Sequence, residues 1–279
     1  MKSYLQKRKK STTSKNGKPS FHRNQPDSRN STDNRNPNNR KKAEEVRLPP
    51  TLNSMLELLR KSEIRLSKEQ VTQLWTFHNL LRARNTDQEL TRIIGFEPII
   101  IKHYVDSMIV GKFLELPSPI VDLGTGAGFP GIPLKIRYPH LRMTLAEPRP
   151  KRIAFLKEVI HALKLKNIDV FEHKVVSRSF RTPMKAVITR AVETIDKTML
   201  RTSGCIEVGG LLVFLKGPAV DPEIVDVKKR FGEYFKLKED KHYELPHTGH
   251  TRRLVVYEKI KSFPNETIVQ KEETQEDVY

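Results

Sequence analysis

Residues 120–133 read "IVDLGTGAGFPGIP": three apolar residues surround one acid, Asp122, and glycines then follow at Gly124, Gly126, Gly128 and Gly131. A short apolar run that ends on a glycine-rich bend is a buried strand passing into the start of a helix. Backbone N–H groups and the positive end of the helix dipole then face a ligand beyond the strand tip. Two ligand classes use such a bend. From Gly126, "GAGFPG" has the G-x-G-x-x-G spacing of dinucleotide sites. From Asp122, "DLGTGAG" has the D-x-G-x-G-x-G spacing of S-adenosylmethionine-dependent methyltransferases. Charge separates the two: Asp122 would repel a pyrophosphate of about two negative charges but attract a sulfonium and an ammonium. Phase agrees, because the strand stops at Gly124, and Pro130 removes an N–H that a phosphate would use. The methyltransferase spacing is preferred, with Asp122, Gly124, Gly126 and Gly128 as cofactor-binding candidates.

Outward from this bend the chain alternates strand and helix. "RMTLAE", "IDVFEH", "AVITR" and "LLVFLKG" read as strands. "GIPLKIRYP", "PKRIAFLKEVIHALKL" and "IDKTMLRTSG" read as helices. Such alternation predicts a parallel sheet with helices on both faces. "HYELP" and "RRLVVYEKI" follow with no long helix between them, an antiparallel pair that finishes the sheet. The fold class is therefore α/β, a Rossmann-like class I methyltransferase sheet with an antiparallel C-terminal hairpin. Upstream, "TLNSMLELLRK" spaces Leu52, Met55, Leu56 and Leu59 as one helical stripe. "SKEQVTQLWTFHNLLRA" opens with Ser67 and Gln70 in capping-box spacing and carries Val71, Leu74, His78 and Leu81 inward. A third helix runs from about Glu97 to Leu116 with Ile100, Tyr104, Met108 and Val110 inward. These make a small helical unit over residues 49–117, before a methyltransferase domain over 118–260.

The 279 residues include 51 Lys/Arg and 33 Asp/Glu, a net charge of +18. Residues 1–48 hold 14 basic and 4 acidic side chains, a net of +10, and only seven apolar ones. That composition predicts a disordered basic arm suited to nucleic-acid phosphates. Residues 261–279 carry two lysines against five acids and predict a disordered acidic tail. No apolar run reaches the roughly 20 residues of a membrane span, and no apolar signal core opens the chain, so a cytoplasmic protein without membrane contact is expected. The single cysteine, Cys205, allows neither an internal disulfide nor a cysteine-rich zinc site, and no metal is expected.

The second strand of the alternation ends at Glu147, 19 residues past Gly128, where an acid accepts both ribose hydroxyls of a nucleoside cofactor. After the fourth strand stands "ITRAVET", with Arg190, in place of the Asn/Asp-Pro-Pro-aromatic loop of amino-methylating enzymes. Cys205 lies away from any strand tip and reads as a packing residue, not a nucleophile. What remains is a target that is already nucleophilic, such as N7 of guanine, which has a lone pair and no proton to remove. Holding nitrogen, methyl and sulfur in line then suffices without a general base. Arg190 is the candidate for stabilising charge redistribution in the purine. Lys151 and Arg152 open a helix whose dipole they oppose, which points to a phosphate. Lys216 ends the fifth strand, where ligands collect in such sheets.

The blocks "IVDLGTGAGFPGIPLKI", "KRIAFLKEV", "LKLKNI", "VITRAV" and "LLVFLKG", with "ELTRI" and "IIIKHYVDSMIV" upstream and "TRRLVVYEKI" downstream, resemble the RsmG (GidB) family from about Leu52 to Ile260. The resemblance implies methylation by S-adenosylmethionine of guanine N7 in 16S ribosomal RNA near the decoding centre. It implies cofactor contacts at Gly124, Phe129, Val175, Val176 and Arg190. It also implies substrate contacts at His103 and Asp106, from "KHYVDS", and at Arg252 before the last strand. The Val pair departs from the family's usual Ala-Glu, and Glu147 keeps the acid where the family has an aspartate. Two alternatives stay open: a non-catalytic RNA-binding assembly factor that keeps the fold, and a methyltransferase acting on a small molecule or a protein.

Overall fold

The computed structural model describes residues 49–263. The expected basic arm over 1–48, and the acidic tail past residue 263, lie outside the described residues. Seven strands form one sheet: β1 (Ile120–Leu123), β2 (Met143–Ala146), β3 (Ile168–Phe171), β4 (Met184–Arg190), β5 (Ile206–Lys216), β6 (Phe235–Glu244) and β7 (Thr251–Lys259). Their order is β3-β2-β1-β4-β5-β7-β6. Pairs among β1 to β5 are parallel, while β7 runs antiparallel to both β5 and β6. The chain reverses its direction of travel across the sheet between β1 and β4, so the crevice past the carboxyl ends of these strands is where a ligand collects.

Side-chain alternation sorts the core into two layers. Ile120, Leu211, Val213, Leu215, Leu254 and Val256 face one side, and Val121, Leu123, Leu212, Phe214, Val255 and Tyr257 the other. The first layer is covered by α1 (Leu52–Lys61), α2 (Lys68–Gln88), α5 (Gly131–Arg137) and α6 (Pro150–Ala162). The second is covered by α7 (Ile195–Thr202) and α8 (Asp221–Phe231). The N-terminal helices thus share a core with the sheet. Side-chain bonds reinforce this: Gln70 donates to the Ile136 and Arg137 carbonyls that end α5, at 2.8 and 3.0 Å. The Ser67–Gln70 capping box forms as expected. In α1 the inward stripe is Met55, Leu58 and Leu59, and Leu56 faces out.

The expected third helix is a composite rod that stops at Lys112. It runs through α3 (Phe96–Ile99), a π-helical segment (Ile100–Val105), α4 (Asp106–Met108) and a 3-10 turn (Ile109–Lys112). Ile100, Tyr104, Met108 and Val110 are fully buried, so the apolar stripe survives the change of pitch. The β6–β7 hairpin closes the sheet as expected, although β6 is preceded by α8, which went unread in the sequence.

Candidate active site

The bend after β1 is built around Asp122. Its side chain is fully buried; Oδ2 accepts from the Thr125 hydroxyl at 2.5 Å and the Gly131 N–H at 2.7 Å, and Oδ1 has no partner. Burial raises its carboxyl to about 6, against the opposing pull of those two bonds and of Arg190. Asp122 therefore holds the loop from beneath. Gly124, Gly126 and Gly128 all take positive φ, +66°, +62° and +96°. A Cβ on Gly124 would strike Val192 at 2.6 Å and one on Gly128 would strike Ile132 at 2.6 Å. A Cβ on Gly126 would meet nothing nearer than Arg152 Nη1 at 3.6 Å, so the space above it is open.

A cavity of about 410 Å³ lies at the tips of β1, β2 and β4, lined by Gly124, Glu147, Arg152, Val175, Arg190 and Val192 among others. Glu147 is buried at its edge. Oε2 accepts from the Gly126 N–H at 3.0 Å and Oε1 from the Arg149 N–H at 3.0 Å, with Arg152 3.6 Å away. Each oxygen keeps a further acceptor site for a hydroxyl. Val175 is buried in the wall. Val176 is exposed, and its N–H already bonds the Ser179 hydroxyl at 2.8 Å, so this amide is committed to its own loop. Cys205 is buried behind that loop and donates to the Val176 carbonyl at 2.9 Å. Burial pushes its thiol up to about 11, consistent with packing rather than nucleophilic attack.

On the opposite side, the π-helical segment brings His103 and Asp106 to Arg190. The guanidinium donates to the Lys102 carbonyl at 3.0 Å, Asp106 Oδ2 at 3.1 Å and His103 Nδ1 at 2.9 Å. Its carbon lies 5.3 Å from the centre of the Phe129 ring, and His103 stacks on that ring at 4.2 Å. A guanidinium can only donate, so the imidazole proton sits on Nε2, facing Thr91 Oγ1 at 2.8 Å. Burial and the Arg190 charge push His103 down to about 3, keeping it neutral. Asp106 Oδ1 accepts from the Tyr243 hydroxyl at 3.1 Å, and Arg252 Nε lies 3.6 Å from it.

Of the residues singled out in the sequence, Phe129, His103, Asp106, Arg190 and Arg252 are thus brought into one cluster. Gly124, Glu147 and Arg152 line the cavity, and Gly126 joins them through its N–H bond to Glu147. Lys151 is exposed on the first turn of α6. Lys216 is apart from both groups: its ammonium bonds the Glu193 carbonyl at 2.7 Å and Glu223 at 2.9 Å. Thr91, Tyr243 and Val192 went unread in the sequence. Tyr243 had one available signal, since the hairpin pairs it directly with Arg252.

A family model described as "GidB: rRNA small subunit methyltransferase G" matches residues 70–255. A Syntrophobacter fumaroxidans protein named Ribosomal RNA small subunit methyltransferase G 2 is 47% identical over 211 residues, 76% of this chain and 42% of its own length. A Bdellovibrio bacteriovorus protein of the same name is 45% identical over 199 residues, 71% of this chain and 78% of its own. The chain therefore spans less than half of the Syntrophobacter relative. The solved structure of M. jannaschii TYW2 in complex with AdoMet aligns with 56% of this chain and 76% of its own, at 19% identity and a TM-score of 0.44. Among the described residues no helix is long and apolar enough to cross a membrane.

Proposed function

The chain belongs to the GidB family, rRNA small subunit methyltransferase G, and from that premise we propose that it transfers a methyl group from S-adenosylmethionine to N7 of a guanine in small-subunit ribosomal RNA. The observation that carries the reading is the 410 Å³ cavity at the strand tips, lined by Gly124, the Glu147 carboxylate and Arg190. A methyl donor with a ribose fits that cradle: the bare backbone of Gly126 beside Glu147 leaves room for it, Glu147 has acceptor sites for its hydroxyls, and Val175 offers an apolar wall. When bound, S-adenosylmethionine supplies a methyl group on a sulfonium, which a neutral nitrogen lone pair attacks directly.

The chain's own residues then bind and orient. Attack by N7 moves positive charge from sulfur onto the purine, so added cationic charge beside the base would oppose it. Arg190 is matched by the buried Asp106 carboxylate, and what it contributes is placed N–H donors rather than net charge. Three of its five N–H groups are spent in the clamp, leaving two for a ligand. Neutral His103 over Phe129 forms a flat wall beside it. Lys151, Arg152 and Arg252 supply cations on the RNA side. No group in this set has to remove a proton.

The test is labelled methyl transfer by the purified protein to small ribosomal subunits from cells lacking the gene, followed by mapping of the modified base. One new N7-methylguanine is the expected result. Cofactor binding without methylation of any guanine would return the chain to the assembly-factor reading, and labelled protein or small molecule would point to a different substrate.

A further inference from the structure

The clamp on Arg190 starts from a helix of altered pitch. In an α-helix the Asp106 N–H would bond the Lys102 carbonyl, four residues back. Here it turns instead to the carbonyls of Ile101 and His103. The Lys102 carbonyl is released from the helix, and Arg190 Nη1 takes it at 3.0 Å. The same segment presents His103 and Asp106 to the two ends of the guanidinium. Three acceptors from one stretch of five residues, Lys102 to Asp106, thus converge on one side chain.

Asp106 is the member that could move, because a carboxylate rotates freely unless both oxygens are engaged. Oδ2 faces Arg190 at 3.1 Å, and Oδ1 lies between the Tyr243 hydroxyl at 3.1 Å and Arg252 Nε at 3.6 Å. Only the tyrosine is within hydrogen-bond distance in that second pair. Burial and the adjacent carboxylate raise the Tyr243 phenol above its ordinary range, so it remains a donor at every working pH. Its ring is braced by Phe113 at 5.4 Å, and its strand by pairing with Arg252. Without the hydroxyl, Asp106 would be drawn to the stronger charge of Arg252 and away from Arg190.

We propose that Tyr243 is a positioning residue for methyl transfer: acting through Asp106, it fixes Arg190 at the cavity wall. This rests on the methyltransferase reading above, and it gives the C-terminal hairpin a part in catalysis. Single-turnover transfer to small ribosomal subunits from cells lacking the gene, at saturating S-adenosylmethionine, provides the assay, with cofactor affinity read separately by calorimetry. Tyr243→Phe should slow transfer about tenfold, the worth of one lost hydrogen bond, with cofactor affinity changed less than about twofold. Arg190→Ala should slow it about a hundredfold, and adding Tyr243→Phe to that variant should cost nothing more. An unchanged rate for Tyr243→Phe overturns the proposal. So does an equal loss in both backgrounds, which is also what a merely destabilised fold would give. A wild-type protein that binds cofactor and methylates no guanine instead sinks the functional reading, and this proposal with it, before any variant is made.

Discussion

Gly126 and Gly131 stand on the same bend and are glycine for opposite reasons. At Gly131 a Cβ would lie 2.4 Å from Leu145 and 2.6 Å from Asp122 Oδ2, so no room exists. At Gly126 the room exists, and on the methyltransferase reading it is the cofactor that needs it. Gly126→Val should therefore abolish S-adenosylmethionine binding in calorimetry while costing about 1–2 kcal/mol of stability for the left-handed φ. Gly131→Ala should cost about 1–3 kcal/mol through overpacking and loosen the Asp122 anchor. Unchanged cofactor affinity in Gly126→Val would refute the loop assignment. Buried histidine sets a second residue-level expectation. His78 is fully buried between Trp75, Phe96 and Tyr104, with Nε2 unpaired, and burial and the Arg82 charge hold it down at about 4. The unfolded chain takes up that proton near pH 6.5, so stability present above 6.5 is lost as pH falls toward 4, at about 1.4 kcal/mol per unit. His103 acts in the same direction. Asp122, raised to about 6, acts in the opposite one: it favours the folded state below its native pKa and loses that contribution as pH rises from about 4 to 6. Urea titrations at pH 6.5 and 4.5 should show His78→Gln with a slope shallower than wild type by about one proton. An identical slope would mean that His78 is not held neutral.

At the level of elements, Gln70 joins α2 to the end of α5. Its side chain accepts from the Ser67 N–H at 2.8 Å and donates to two α5 carbonyls. Ser67→Ala removes a single cap and should cost about 1 kcal/mol. Gln70→Ala removes three bonds and should cost about 2–3 kcal/mol by denaturant unfolding. If both cost the same, the contacts to α5 contribute nothing. Elements held by strong periodicity or by glycine spacing were legible in the sequence: β1 and its bend, α2 with its capping box, and the closing hairpin. The parts that escaped did so for physical reasons. A π-helical turn keeps the apolar stripe of "PIIIKHYV" inward, so residue type alone does not reveal the wider pitch. α8 is a different case: Ile224, Val227 and Phe231 fall three and four apart and pack on the sheet, a signal that was there to be read. The site was legible where one local segment supplies it, as with Gly124 to Gly128. For Tyr243 the pairing beside Arg252 was available from the hairpin, but its meeting with Asp106 was not, because 137 residues separate the two and no local pattern encodes that contact.

Over the whole molecule, charge is the dominant signal. Of the net +18, +10 resides in residues 1–48. Removing this segment should weaken binding to ribosomal RNA and flatten the plot of log affinity against log salt, by about 0.7–0.9 for each phosphate it had neutralised. A filter-binding series across salt reads both quantities, and an identical slope would mean that the segment touches no phosphate. The order of the strands has a different bearing. β7, the last strand among the described residues, lies inside the sheet, and β6 pairs with nothing else. A nascent polypeptide that has emerged only as far as β6 carries an open edge on β5 and a loose strand with Tyr243 on it. Pairing of residues 251–259 with both neighbours is what carries Tyr243 on β6 toward Asp106, so the guanidinium clamp closes only in a sheet that has already taken up β7.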